Sequence, residues 1–212
     1  MITLYTWKTP NGRKPAIMLE EMGEPYEVKG IDISKDEQFS ANFLAIAPNN
    51  KIPAIVDDDA FGGQRLSIFE SGAILTYLAE KSGHLLARNG PERYAALEWL
   101  HWQIGGLGPM LGQLGFFALR SEEKAPLAIR RFTEEAERLI AVLDKRLASV
   151  PYLAGSEYSV ADIATYPWIA AAAQMMKPVL GDAFQRSAAV TNWLERIGAR
   201  PAVVRGMAVL QD

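Results

Sequence analysis

The stretch AIVDDDAFGGQRLSIFESGAILTYLAEK, residues 54–81, gives the clearest indication of the fold of this chain. Two short apolar runs, Ala54–Asp57 and Leu66–Phe69, lie on either side of an Asp- and Gly-rich segment typical of a hairpin loop, which predicts two neighbouring strands. Residues 71–81 then repeat apolar side chains every three or four positions, as one face of a helix does. The stretch therefore predicts a β-β-α unit.

The residues on the amino-terminal side of this unit predict a β-α-β unit. Ile2–Thr6 is a short strand-forming run, and a turn at residues 9–12 leads into a helix over Arg13–Met22 that Gly23 ends. Tyr26–Ile33 follows as the second strand. Joined to the β-β-α unit, these elements predict a compact α/β domain built around a mixed sheet.

The chain changes character after the predicted α/β domain. Asn89-Gly90-Pro91 closes a segment predicted as a linker, and the residues beyond it are patterned as helices. The apolar positions of Ile129–Leu147 step by three and four, and Ser159 with Asp162 has the form of a helix capping box. The predicted organisation is an α/β domain (1–83), a linker (84–91) and an all-helical domain (92–212).

The composition excludes several kinds of site. The 212 residues contain no Cys and two His, which excludes a disulfide framework, a Cys-ligated metal and a protein thiol nucleophile, and we expect no metal. A net charge of −3 argues against nonspecific nucleic-acid binding. No apolar run approaches the length of a membrane span, and the start MITLYTWKTPNGRK is unlike a signal peptide. We therefore expect a cytoplasmic protein with neither nucleic acid nor membrane as a partner.

The turn Thr9-Pro10-Asn11-Gly12 is the first candidate binding element. A helix start carries free N–H groups and the positive end of the helix dipole, so it attracts an anion such as a thiolate. The Thr9 hydroxyl and the Asn11 amide can add charge-assisted hydrogen bonds. The alternative is a surface turn whose Thr9 only caps the helix.

Two further segments end or begin predicted strands, where α/β folds place ligands. The base rate for X-Pro bonds predicts a trans bond between Ile52 and Pro53. A cis bond would instead turn the N–H and C=O of Ile52 outward to pair with an extended peptide. Glu70-Ser71 is either a simple helix start or a site in which Ser71 and the helix start take a carboxylate and Glu70 takes an ammonium.

Four glycines fall near one face of a predicted helix in the second domain. Each glycine inside a helix lowers helix stability by about 1 kcal/mol relative to alanine, so other interactions must compensate for the four. Close packing of another helix and room for a second ligand are the two explanations, and Pro109 should kink or interrupt the helix. The four glycines are Gly105, Gly108, Gly112 and Gly115.

Together these elements resemble the glutathione transferase superfamily along nearly the whole chain. The general motifs are Asn50-Lys51-Ile52-Pro53-Ala54, Phe69-Glu70-Ser71-Gly72-Ala73-Ile74 and the capping box before Asp162. Two longer strings resemble the bacterial nu-class branch, whose best-known members are glutathione-dependent disulfide-bond oxidoreductases. They are Pro48-Asn49-Asn50-Lys51-Ile52-Pro53-Ala54-Ile55-Val56-Asp57 and Gly105-Gly106-Leu107-Gly108-Pro109-Met110-Leu111-Gly112-Gln113. The shorter strings Thr9-Pro10-Asn11-Gly12-x-Lys14 and Leu19-Glu20-Glu21 resemble the same branch.

The resemblance implies a thioredoxin-like first domain, an all-α second domain and a set of glutathione contacts. Thr9 and Asn11 would face the glutathione sulfur as the catalytic residues. The remaining contacts are the Ile52 main chain before a cis Pro53, the γ-glutamyl pair Glu70 and Ser71, the polar neighbours Gln38 and Lys51, and Arg131 across a dimer interface. For Arg131 the alternative is an ordinary solvated helix face.

The resemblance further implies a glutathione-dependent thiol–disulfide oxidoreductase that takes its reactive sulfur from bound glutathione, reduced or as the disulfide. Its partners would be glutathione, a small disulfide and a second copy of the chain in a homodimer. Two alternatives stay open: a transferase or peroxidase acting on electrophiles or organic hydroperoxides, and a non-catalytic binding protein of the same fold.

Overall fold

The computed structural model describes residues 1–211 and divides into two compact units. The first unit consists of residues 1–86 together with the end of the chain from Arg200, and the second is Ala87–Ala199. Asp212, the last residue of the predicted helical domain, lies outside the described residues.

The first unit is built on a four-stranded mixed sheet in the order β2-β1-β3-β4. Its strands are β1 (Ile2–Thr6), β2 (Tyr26–Gly30), β3 (Ala54–Asp57) and β4 (Leu66–Phe69). β1 and β2 are parallel, and β3 is antiparallel to both β1 and β4. The second strand ends at Gly30 rather than at Ile33, because the Asp32 carboxylate caps a 3-10 turn that starts at Ile33.

Ten α-helices complete the described chain, and none of them is both long and apolar enough to cross a membrane. They are α1 (Pro10–Met22), α2 (Ala41–Leu44), α3 (Ser71–Ser82), α4 (Pro91–Trp102), α5 (Gly108–Gly115), α6 (Pro126–Leu147), α7 (Val160–Met175), α8 (Lys177–Arg186), α9 (Ala188–Gly198) and α10 (Pro201–Ala208). The thioredoxin-like and all-helical architecture expected from the sequence is confirmed.

Helix α10 belongs to the first unit because it packs along α1. At Gly206 the two backbones approach so closely that an added Cβ would lie 2.6 Å from the Ile17 nitrogen and Cα. Arg200 donates to Glu21 at 2.8 and 2.9 Å, and Arg205 donates to Glu20 at 2.5 Å. The sequence predicts this helix as part of the all-helical segment 92–212, whereas the structure groups it with the first unit.

The glycine-rich face in the second unit is mostly filled by side chains. A Cβ on Gly108 or Gly112 would meet the indole of Trp168, and one on Gly115 would lie 3.0 Å from Met176. Close packing therefore explains these three glycines, whereas a Cβ on Gly105 would meet nothing within 4 Å. The chain stays helical at the proline: α4 passes through a π-helical stretch, Gln103–Leu107, into α5, whose first turn contains Pro109. The predicted interruption is therefore a local change of helix type rather than a break in the helix.

Candidate glutathione site

Three candidate segments meet at one edge of the sheet. Tyr5 at the end of β1 lies opposite Ala54 at the start of β3, and Ala54 in turn lies opposite Phe69 at the end of β4. The end of β1, the start of β3 and the end of β4 are therefore neighbours. The residues that follow or precede them carry the predicted contacts.

Thr9 is the N-cap of α1, and its Oγ1 accepts a hydrogen bond from the Gly12 N–H at 3.1 Å. The predicted capping role is thus confirmed, and the helix starts at Pro10 rather than at Arg13. Because Oγ1 accepts here, the hydroxyl proton of Thr9 still has to be donated to another group. Asn11, half-buried, lies in the same first turn.

Gly12 fixes the path of the chain at this helix start. A Cβ on Gly12 would lie 2.2 Å from the Trp7 carbonyl oxygen and 2.5 Å from Thr6 Oγ1, so no larger residue fits without rearrangement. Thr6 Oγ1 also donates to the Gly12 carbonyl at 2.8 Å. The close contact with β1 therefore holds the turn with Thr9 and Asn11 against the sheet edge.

The peptide bond between Ile52 and Pro53 is cis. The base-rate expectation of a trans bond is wrong here, and the conformation implied by the resemblance is confirmed. Pro53 is buried and Ile52 half-buried, directly before β3, whereas Lys51 is exposed.

Glu70 and Ser71 form the start of α3. Glu70 is the N-cap residue but makes no side-chain capping hydrogen bond, and its backbone has φ 71° and ψ 117°. A positive φ is unfavourable for a residue with a Cβ, and such strain is concentrated at functional sites. The Glu70 side chain is exposed, whereas Ser71 is buried. The segment therefore presents a carboxylate to solvent beside a helix start.

A buried lysine joins this pair from α1. Lys14 Nζ donates to Ser71 Oγ at 3.3 Å, which links the starts of α1 and α3. Burial lowers the pKa of the Lys14 ammonium to about 7, and the nearby Glu70 carboxylate opposes that shift. The sequence analysis assigned no role to Lys14, although its spacing from Ile17 and Met18 puts a charged residue on the buried face of α1.

The remaining predicted contacts fall in two places. Gln38, in a 3-10 turn between β2 and β3, donates to Asp36 Oδ1 at 3.4 Å, and within the described chain its buried Oε1 has no hydrogen-bond partner. Arg131 lies in the second unit on an exposed turn of α6, where its charge helps to lower the pKa of Glu135, mainly lowered by a hydrogen bond from Arg138. Within the described chain Arg131 therefore lies on a solvated helix face, which is the alternative given for it in the sequence analysis.

The first unit thus offers the functional groups that an acidic peptide needs. Two helix starts, a hydroxyl, an amide, a main-chain segment before a cis proline and one exposed carboxylate lie at one sheet edge. Helix starts favour anions, and the Glu70 carboxylate favours a cation. Across residues 1–211 no group of three or more His, Cys, Asp or Glu side chains could hold a metal ion.

Family models match both parts of the chain. The model described as the glutathione S-transferase N-terminal domain matches residues 1–80, and the C-terminal domain model matches residues 126–196. The disulfide-bond oxidoreductase YfcG of Escherichia coli is 49% identical over 212 residues, covering 100% of this chain and 95% of that protein. The disulfide-bond oxidoreductase YghU of the same species is 40% identical, over 98% of this chain and 74% of its own.

Solved structures give the same result for the fold. A glutathione transferase family member from Pseudomonas fluorescens, crystallised with two glutathione bound, superimposes with a TM-score of 0.94 at 45% identity, covering 97% of this chain and 92% of its own. A glutathione transferase from Pseudomonas putida, with one glutathione disulfide per subunit, has a TM-score of 0.94 at 42% identity, covering 98% and 91%.

Proposed function

The chain belongs to the glutathione transferase family, and we propose that it is a glutathione-dependent thiol–disulfide oxidoreductase of the nu-class branch. The observation that carries the proposal is the full-length similarity to a disulfide-bond oxidoreductase, at 49% identity. The meeting of the three segments at one sheet edge supports it, because they bring together the Thr9-Asn11 turn, the Ile52-Pro53 peptide and the Glu70-Ser71 pair.

The proposed ligand is glutathione, bound as an extended peptide along this edge. The Ile52 main chain pairs with the cysteinyl backbone, and Ser71 with the start of α3 takes the carboxylate of the γ-glutamyl end. Glu70 takes the ammonium of that end, since it is the exposed carboxylate beside the helix start. Gln38 and Lys51 are the proposed polar neighbours, and the unpartnered buried Oε1 of Gln38 is a ready acceptor for a ligand N–H.

Thr9 and Asn11 are the proposed catalytic residues, both acting on sulfur. The Thr9 hydroxyl proton and the Asn11 amide stabilise a glutathione thiolate. That thiolate attacks a disulfide RSSR, so a new S–S bond forms to one sulfur and the other leaves as RS⁻, which takes up a proton. A second glutathione thiolate attacks the mixed disulfide and releases the second RS⁻. Two glutathiones are oxidised to one glutathione disulfide, and RSSR is reduced to two RSH.

Thiolate stabilisation alone gives little acceleration in this reaction. Lowering a thiol pKa from about 8.5 to about 7 raises the thiolate fraction at pH 7 roughly 16-fold. The less basic thiolate is also a weaker nucleophile, so it reacts about fivefold more slowly, which offsets part of that gain. The net effect is only about threefold, so most of the acceleration comes from holding two sulfur atoms together.

The proposed assembly is a cytoplasmic homodimer in which Arg131 of one subunit reaches the glutathione of the other. The edge strand β4 and the turn before it expose three large apolar side chains, Phe61 (65% exposed), Leu66 and Phe69. Exposed apolar side chains on an outer strand favour contact with another protein surface, here a second copy of the chain. Reduced glutathione is maintained in the cytosol, which supports that location.

The first prediction concerns the reaction itself. With reduced glutathione and bis(2-hydroxyethyl) disulfide, the protein should produce glutathione disulfide at a rate that saturates with both substrates. The same preparation is assayed with a halogenated aromatic and with an organic hydroperoxide. Faster turnover of either would replace the proposal by conjugation or peroxide reduction. Binding of glutathione without turnover of any of the three substrates would make the chain a non-catalytic binding protein.

A further inference from the structure

The least expected residue near the proposed site is the buried lysine of α1. The Lys14 side chain is 1% exposed, and its Nζ lies 3.3 Å from Ser71 Oγ. Taking an ammonium out of water costs several kcal/mol, and apolar residues of similar volume avoid that cost. Packing alone therefore gives no reason for a lysine at this position.

We propose that Lys14 is a positioning residue for the γ-glutamyl carboxylate of glutathione, acting through Ser71. This role depends on the glutathione site proposed above and adds to it a residue that the ligand does not touch. A serine hydroxyl has one proton to donate and two lone pairs that accept. Because the Lys14 ammonium donates to Ser71 Oγ, the Ser71 proton is directed to another acceptor, and the proposed ligand carboxylate is that acceptor.

The charge of Lys14 also acts on the carboxylate directly. The start of α3 contributes the positive end of its dipole, and Glu70 contributes a negative charge on its outer side. A buried ammonium next to Ser71 offsets the repulsion between Glu70 and an incoming carboxylate. The pair Glu70 and Lys14 thereby gives the site a negative position for the ligand ammonium and a positive one for its carboxylate.

Glu70 is the carboxylate whose charge acts on Lys14. The other charged groups on the packed elements are engaged elsewhere: Glu20 and Glu21 bind Arg205 and Arg200 of α10, and Lys81 of α3 binds Asp57. β1 carries no charged residue. Arg13 is a second cation on α1, and Glu80 lies in the last turns of α3, nine residues beyond Ser71.

This arrangement couples glutathione binding to a proton. The pKa of Lys14 is about 7 in the protein as it stands, and a bound carboxylate next to Ser71 raises it. Binding therefore takes up a proton near and above pH 7. Since the charged form binds better, affinity falls as the pH rises, by up to about tenfold between pH 6 and pH 8.

The second prediction tests this with S-methylglutathione, which has no thiol to titrate. Its affinity is measured by calorimetry between pH 6 and pH 8 for the wild-type protein, Lys14→Met and the matched surface control Lys145→Met. Lys14→Met should bind about tenfold more weakly at pH 6 and lose the Lys14-dependent part of the pH profile. Lys145→Met, which has the same change in net charge, should follow the wild type.

Each outcome separates this role from the proposed function. If the wild type binds neither glutathione nor its S-methyl form, the proposed function fails. If the wild type binds and Lys14→Met retains both its affinity and its pH profile, the Lys14 role is wrong and the proposed function stands. Should Lys14→Met fail to fold, the wild type is titrated with S-methylglutathione by calorimetry at pH 7.5 in two buffers of different ionisation heat. Proton uptake on binding supports the role of Lys14, and binding without proton uptake overturns it.

Discussion

Two buried ionisable groups, Lys14 in the first unit and Asp162 in the second, are held in opposite ways. Asp162 is surrounded by donors of its own unit: the Leu153 N–H at 3.0 Å, the Ser159 N–H and hydroxyl at 3.1 Å and the Trp193 indole at 2.9 Å. Lys14 instead donates to Ser71 at 3.3 Å, close to an exposed carboxylate. The partners of Asp162 all belong to the fold of the second unit, whereas Ser71, which accepts from Lys14, opens the helix at which the ligand carboxylate is proposed to bind.

Burial alone does not distinguish a structural charge from a functional one. Burial raises the pKa of Asp162, although all four hydrogen bonds favour its ionised form. Burial likewise lowers the pKa of Lys14. What differs is where the partners lie: those of Asp162 join the 153–159 loop and α9 to the start of α7, whereas Ser71 and Glu70 open α3 at the sheet edge. Substitutions should therefore affect stability at one position and ligand binding at the other.

The largest expected effect is the loss of stability in Asp162→Ala. The substitution leaves buried donors on Leu153, Ser159 and Trp193 without their acceptor, and each such group costs about 1–3 kcal/mol. The free energy of unfolding, measured by urea denaturation, should fall by about 4 kcal/mol. Asp162→Asn keeps one acceptor oxygen and should lose less. A loss below about 1 kcal/mol in Asp162→Ala would mean that this network contributes little.

The next largest effect has the opposite sign. Lys14→Met removes a buried charge and should raise the free energy of unfolding by about 2 kcal/mol at pH 6, as replacing buried ionic groups often does. The native protein releases the Lys14 proton near pH 7 and the unfolded chain near pH 10.4, so the unfolded chain binds more protons between these values. The Lys14 contribution to wild-type stability therefore rises over that range, and the advantage of the variant should shrink from pH 7 to pH 10.

Urea denaturation of both proteins at pH 6, 8 and 10 measures this difference. A variant less stable than the wild type at pH 6 would show that Lys14 stabilises the fold. Lys14 and Asp162 would then both be buried charges that stabilise the fold, and the contrast between them would be wrong.

Much of the fold could be predicted because its patterns are local. β1, β3 and β4 lie where the alternation and turn signals put them, and the box of Ser159 and Asp162 forms as its spacing predicts. The position of α10 could not be predicted, because it depends on a close contact between Gly206 and Ile17, which are far apart in sequence. Long-range packing leaves no periodic signal in either segment.

The candidate site divides in the same way. Thr9 and Ser71 were identifiable because helix starts have a local signature. The cis bond at Pro53 came from the resemblance alone, since the base rate favours trans. Lys14 belongs to a string that carries the resemblance, but its role could not be predicted, because its contact with Ser71 spans 57 positions and a charged residue on an apolar face is only a weak signal. Contacts between segments that are distant in sequence, such as the starts of α1 and α3, depend on the tertiary structure and have no local signal.

The smallest expected effect on stability, and the most specific on chemistry, is at Asn11. Thr9 caps α1, so Thr9→Ala should cost about 1 kcal/mol of stability as well as turnover. Asn11 is not the cap, so Asn11→Ala should cost less stability than Thr9→Ala. It should lower kcat about 10- to 100-fold, more than the threefold that thiolate stabilisation gives, because the sulfur is also no longer held in position for attack.

Steady-state reduction of bis(2-hydroxyethyl) disulfide at varied glutathione concentration separates kcat from KM in these variants. Asn11→Asp keeps the size of the side chain but replaces the amide donors by a carboxylate, which repels a thiolate, so it should lose at least as much turnover as Asn11→Ala. Because the sulfur is only one of the groups by which glutathione is held, KM should change less than threefold in Asn11→Ala. Equal losses in kcat and in glutathione affinity would mean that Asn11 binds the peptide rather than acting at its sulfur. Thr9 would then be the only residue at the start of α1 that is proposed to act on the sulfur.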